Sequence, residues 1–171
     1  MIARETGKQA GRRSGATTVE VAVVLSVFLM FLFGIFEYCR YLMAIQVTTN
    51  AARDGARYAV VNLGKGASFA TTNYSDGVTT YPSIRSYVTQ RMGGMNNMID
   101  GYAVSVFACD SYYLHQPVPT IVAKTGAWNA AQFGERIAVR IQGNYSTILP
   151  NFLMMGAVIP INVVVTMGSE G

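Results

Sequence analysis

Few side chains in this 171-residue chain stand at spacings that chemistry can use. The single histidine, His115, lies in Tyr112-Tyr113-Leu114-His115-Gln116-Pro117 with no GxSxG motif and no acid pair at fixed spacing, so it reads as a surface residue. Cys39 and Cys109 have neither CxxC nor Cys/His spacing, which argues against a metal site and leaves a disulfide between them open. Gly64-Lys65-Gly66 lacks the flanking residues of a phosphate-cradling loop. Tyr112, Tyr113 and Trp128 either form a contact surface or cover a sheet. No catalytic residue, metal or cofactor is implied. Glu20 is the exception, because sixteen uncharged residues follow it, from Val21 to Phe36. A carboxylate at the centre of a membrane helix costs about 2.5–3.5 kcal/mol on insertion scales, less near an end, and is usually there for a partner.

That partner follows from what precedes Glu20. The first fifteen residues hold Arg4, Lys8, Arg12 and Arg13 against Glu5, whereas the remaining chain is nearly balanced; the overall +4 is therefore a property of the head. With the head set aside no basic stripe remains for nucleic acid. Lys and Arg beside an apolar span instead hold that flank in the cytoplasm, so the C-terminal part is expected outside. A secretory signal peptide would need small residues at alternate positions after the apolar core, where this chain has Phe36-Glu37-Tyr38-Cys39-Arg40. Two readings are left, an uncleaved signal anchor or a leader cut on the cytoplasmic side between Gly15 and Ala16. In the second, Glu20 becomes the fifth residue of a chain beginning Ala-Thr-Thr-Val-Glu, able to pair with a neighbouring subunit's new amine. In the first, it snorkels at the membrane edge.

The element that must position these residues is a helix predicted from residue 16 to residue 61, about 69 Å at 1.5 Å per residue. Its span, residues 19–38, fits a bilayer core of about 30 Å, and the second half must stand outside. Phe36, Tyr38 and Tyr41 suit the interface, and Glu37 with Arg40 reads as a solvated i, i+3 pair. Further on, Ala51, Gly55 and Ala59 recur every four residues beside Ala52 and Ala56, a face for close helix or sheet packing. Asp54 is placed to pair with Arg57, and one or both of Arg53 and Arg57 are expected to meet acidic or carbonyl groups of the outer domain.

The head GATTVE, the exit GIFEYCR and the segment AARDGARYA together resemble the TadE-like proteins of tight-adherence (Flp) pilus systems, in which GATxVE, GxxEfGR and AARxGARxA recur. The resemblance covers residues 11–61. It implies a minor pilin or pseudopilin, processed by a prepilin peptidase at Gly15-Ala16, with Glu20 as the glutamate of the prepilin motif. It also implies a bacterial inner-membrane location, pilins and pilus-assembly membrane proteins as partners, and roles in assembly and surface adhesion. Two positions depart from the pattern: Val21 stands where Flp-type prepilins favour Tyr, and Cys39 where the exit motif usually has Gly.

After residue 61 the composition turns to Gly, Ser, Thr, Asn and Tyr, and residues 63–82 read as a long polar connection. A short helix is predicted over 83–92, ending at Gly93-Gly94, with strands over 102–109, 136–145 and 161–167. A weaker strand is placed at 120–123, a turn of helix at 148–155, and Pro160 at the start of the last strand. Three or four antiparallel strands bury only one face unaided, so the sheet is expected on the amphipathic half of the long helix. The result is an α+β, pilin-like chain of three parts: a removable leader at 1–15, the helix at 16–61 and an outer domain at 62–171. The competing functional reading is a signal-anchored binding protein whose helix is only a tether; a membrane-tethered hydrolase has His115 alone to support it.

Overall fold

The computed structural model describes residues 14–109, 121, 123–148 and 155–169. The basic head before Ser14, the segment containing Tyr112, Tyr113 and His115, and most of the helical turn expected at 148–155 lie outside the described residues. The architecture is α+β. Helix α1, Ser14–Val61, runs for 48 residues through a sequence that contains no proline. It ends where Asn62 turns its amide group back to the Tyr58 carbonyl at 2.7 Å, satisfying an oxygen that the helix ladder leaves open. By contact density the chain divides at Cys39/Arg40, with most of the packing in the second unit.

Within the second unit, the expected irregular connection at 63–82 is more ordered than its composition suggests. Two 3-10 turns, Leu63–Lys65 and Ala67–Ala70, lead to a small hairpin of β1 (Tyr74–Ser75) and β2 (Thr80–Tyr81). Asp76 organises the hairpin turn by accepting from the amides of Val78 and Thr79 at 2.9 and 2.6 Å. The Lys65 ammonium lies over the rings of Tyr81 and Tyr74, 3.1 and 4.7 Å from their centroids, which ties the hairpin to the end of α1. Helix α2, Ile84–Arg91, starts at an N-cap, with Ser83 accepting from the Ser86 amide at 3.2 Å. It stops at Gly93 and Gly94, whose φ values of 57° and 91° suit glycine.

Three long antiparallel strands follow: β3 (Ile99–Cys109), β4 (Arg136–Ser146) and β5 (Val158–Gly168), in the order β3-β4-β5. Strand β3 begins earlier than its alternation announces, because a bulge between Asp100 and Ala103, with Gly101 at φ 67°, breaks the period. Of the strand expected at 120–123, Thr120 and Val122 lie outside the described residues, and Ala123 forms an antiparallel bridge with Cys109. Pro160 is the third residue of β5 and not its first, a position open to it because β5 is an edge strand. Ile137, Val139 and Ile141 face inward as their alternation requires, and Arg136, Arg140 and Gln142 are more exposed.

These inward residues share a core with Ala44, Ala51, Ala52, Ala56 and Ala59 of α1, Ile84 and Val88 of α2, and Tyr145. Trp128 closes it from the far side, 3% exposed, with its indole N–H donating to the Ala67 carbonyl at 2.9 Å. Trp128 is therefore a core residue, not part of a contact surface. Neither cysteine is in a disulfide: Cys39 is exposed on α1, and Cys109 is buried at the end of β3.

Candidate functional site

The site residues named by the sequence all lie on α1, which presents two different surfaces along its length. From Val19 to Phe36 nearly every large apolar side chain is exposed, among them Val21 at 60%, Val24 at 64%, Phe28 at 59% and Ile35 at 60%. α1 is the one helix among the described residues long and apolar enough to cross a membrane. Glu20 stands exposed near its start, and no described residue forms an ion pair with it. Gly15, also exposed and with nothing within 4 Å of where a Cβ would stand, lies in the first helical turn.

At the exit from the apolar run the surface reverses. Glu37 is 5% exposed, which corrects the expectation of a solvated Glu37–Arg40 pair. Within the second unit the buried stripe follows helical spacing, with Ala44, Thr48, Ala51 and Gly55 on one face. Arg40 is half-buried with its guanidinium 5.9 Å from the centroid of the Tyr145 ring, a cation–π distance. Tyr41, expected at the membrane interface, turns to the sheet and meets Tyr145 with ring centroids 5.6 Å apart. Phe36 and Tyr38 are exposed. Sequence reasoning missed Tyr145 as the anchor for this region, although the alternation Ile137, Val139, Ile141 carried two steps further reaches it.

The small-residue face lies against this chain's own outer elements. A Cβ on Gly55 would overlap a Val88 methyl of α2 and stand 3.6 Å from Val139 of β4, while Ala51 and Ala59 are 1% and 0% exposed. Asp54 does not pair with Arg57; its carboxylate stands 3.6 Å from Arg91 of α2. Arg91 also donates to the Tyr87 hydroxyl at 2.8 Å, and this bond, more than Asp54, raises its pKa. Arg91 lies on a second helix 37 residues further along the chain, and spacing within α1 alone does not identify it as the partner. Arg53 and Arg57 are exposed and have no ion pair among the described residues. The geometry explains the preference: the small side chains occupy the inward face, and the arginines, two residues on from Ala51 and Gly55, point away from it.

Beyond α1, a cleft of about 720 Å³ is lined by Asn73, Arg85, Thr89 and Tyr102 among others. Burial raises the pKa of Tyr102, whose hydroxyl lies 3.3 Å from that of Thr89. No group of three or more His, Cys, Asp or Glu side chains among the described residues is arranged to hold a metal ion.

Comparison with protein families identifies the helix: residues 15–57 match the family described as TadE-like protein. The matched stretch runs from Gly15 through Glu20 to Arg57, all of it on α1, and associates the chain with the Tad pilus system. That family is pilus-associated and is not a family of enzymes. No curated protein and no solved structure matches the chain.

Proposed function

We propose that this chain is a minor pilin or pseudopilin of a Flp/Tad-type pilus, released from its basic leader by a prepilin peptidase between Gly15 and Ala16 and then built into, or against, the pilus through α1. The observation that carries this reading is the division of α1. Its first half leaves a continuous apolar surface uncovered around one carboxylate, whereas its second half is already covered by the chain's own sheet. An exposed apolar surface of this extent calls for lipid or neighbouring helices. The basic head fixes the N-terminus in the cytoplasm and the sheet outside the inner membrane.

In that setting Glu20 has one task. Once Gly15 is removed, the new α-amino group lies within a turn or so of Glu20, and an incoming subunit's amine can lie beside its neighbour's carboxylate. Two unit charges 4 Å apart attract by about 4 kcal/mol at an effective dielectric constant of about 20. The pair offsets the cost of a lone carboxylate in hydrocarbon and sets the axial register of one helix against the next.

The N-terminus decides between this and a tether. The protein purified from membranes of cells that carry the peptidase should begin at Ala16 by mass spectrometry. A chain that retains Arg12 and Arg13 is a signal-anchored binding protein instead. Glu20→Ala should abolish or sharply reduce pilus output while leaving the outer sheet folded; normal pili from that variant would remove Glu20 from assembly.

A further inference from the structure

The segment AARDGARYA divides cleanly in space. Ala51, Ala52, Gly55, Ala56 and Ala59 are buried in the chain's own core, and Arg53 and Arg57 stand on the opposite, solvent-facing side of α1 with Gln46 and Asn50. Two guanidinium groups at i, i+4 repel one another, and the carboxylate between them in sequence, Asp54, is directed to Arg91. A pair of like charges on an exposed helix face, with no opposite charge beside it among the described residues, is a cost that a partner bringing the opposite charge removes.

We propose that Arg53 and Arg57 form a docking surface for a helix of a different subunit, one carrying two carboxylates about a turn apart. This rests on the assembly reading above for the partner's origin, and on charge complementarity for its chemistry. A second copy of this chain is a poor occupant. Outside the apolar run of α1, each carboxylate among the described residues is already buried or engaged: Glu37 is 5% exposed, and Asp54 is engaged by Arg91, Asp76 by its own turn, Asp100 by the Ser146 hydroxyl, and Glu135 by Lys124 and the Gln132 amide. Lipid headgroups are a poor occupant as well. Arg53 lies seventeen residues past Phe36, where the exposed apolar run ends, which is about 25 Å of helix rise. That distance exceeds the screening length of about 8 Å at physiological ionic strength. A helix fits better than an extended strand, because two arginines one turn apart match carboxylates at the same spacing.

The test uses the full chain in cells that make the pilus, with a benzophenone amino acid replacing the exposed Asn50, three residues before Arg53 on the same face. Irradiation should link it to one other subunit, at a helix with carboxylates a turn apart. Arg53→Glu with Arg57→Glu should lower the yield of that product about tenfold or more, as reversal of a close charge pair does, while Arg53→Lys with Arg57→Lys keeps most of it. Replacing the partner's two carboxylates by lysine should restore the product in the charge-reversed chain. Trp128 emission reports that each variant is folded. Cross-linking that ignores the charge reversal, that goes to lipid or to a second copy, or that yields no product overturns the proposal. Pilus output and the N-terminus are read in the same cells. Normal pili from the charge-reversed chain refute the docking surface and leave assembly standing, whereas an uncut wild-type chain that makes no contribution to pili refutes the assembly reading.

Discussion

Gly55→Ala isolates the close approach that joins α1 to the outer domain. An alanine in place of glycine inside a helix stabilises it by about 1 kcal/mol through backbone entropy and solvation. At this position the added methyl overlaps Val88, which is 0% exposed and has no room to swing aside, and it also meets Val139 at 3.6 Å. Overpacking of this kind costs about 1–3 kcal/mol. The second effect wins, and the variant should lose about 1 kcal/mol. The sign should reverse when the obstacle is removed. Val88→Ala costs about 2 kcal/mol by itself, from lost burial and the cavity left behind, and in that background Gly55→Ala becomes stabilising by about 1 kcal/mol, a coupling of about 2 kcal/mol between contacting residues. Denaturant unfolding of the full chain in detergent, followed by the emission of Trp128, the single tryptophan, measures all four proteins. If Gly55→Ala shifts the midpoint in the same direction in both backgrounds, steric contact with Val88 is not what glycine serves here.

Ser83→Ala removes the side chain that caps α2 and should cost about 1 kcal/mol, seen as faster amide exchange at Ser86 with little change in β4. Asp76 and Glu135 give an acid signature. The amides of Thr79 and Val78 hold the Asp76 carboxyl below its ordinary pKa, and Lys124, with the Gln132 amide, does the same for Glu135. A depressed folded-state pKa contributes stability above the unfolded value, about 4 for such carboxyls, and that contribution is lost as pH falls through the depressed value. Protection factors at Val78, Thr79 and Gln132, with the intrinsic pH dependence of exchange divided out, should therefore fall below about pH 4 and stay flat between pH 5 and 8; a loss of protection near neutrality would mean that other groups hold these turns.

What could be read from the sequence was whatever repeats. A period of four carried the small face of α1, a period of two carried the inward residues of β4, and an uncharged run behind a basic head carried the membrane half. The proline and glycine pairs around α2 gave its limits almost to the residue. What escaped was set by contacts between elements far apart in the chain. Composition at 63–82 shows only polarity, but the turns there are fixed by Lys65 against Tyr74 and Tyr81 and by Trp128 reaching the Ala67 carbonyl. Alternation in β3 is interrupted by the Gly101 bulge.

Charge was the least legible quantity, and the reason is physical. Helical spacing places Asp54 within reach of Arg57, but an exposed i, i+3 pair is worth only a few tenths of a kcal/mol, too little to hold a side chain that has a second cation available from α2. The position of α2 is set by apolar contacts, Ile84 and Val88 against the small face of α1, and it brings Arg91 to Asp54 as a by-product. Burial thus decides the architecture, and the ion pairs form among whatever charges burial leaves adjacent. Glu20, Arg53 and Arg57 are charged groups of α1 that this process leaves without an ion pair among the described residues, one in the apolar half and two beyond it. A helix whose packing is satisfied along one face, and whose free charges lie on the surfaces that remain, is suited to have those charges answered by other chains.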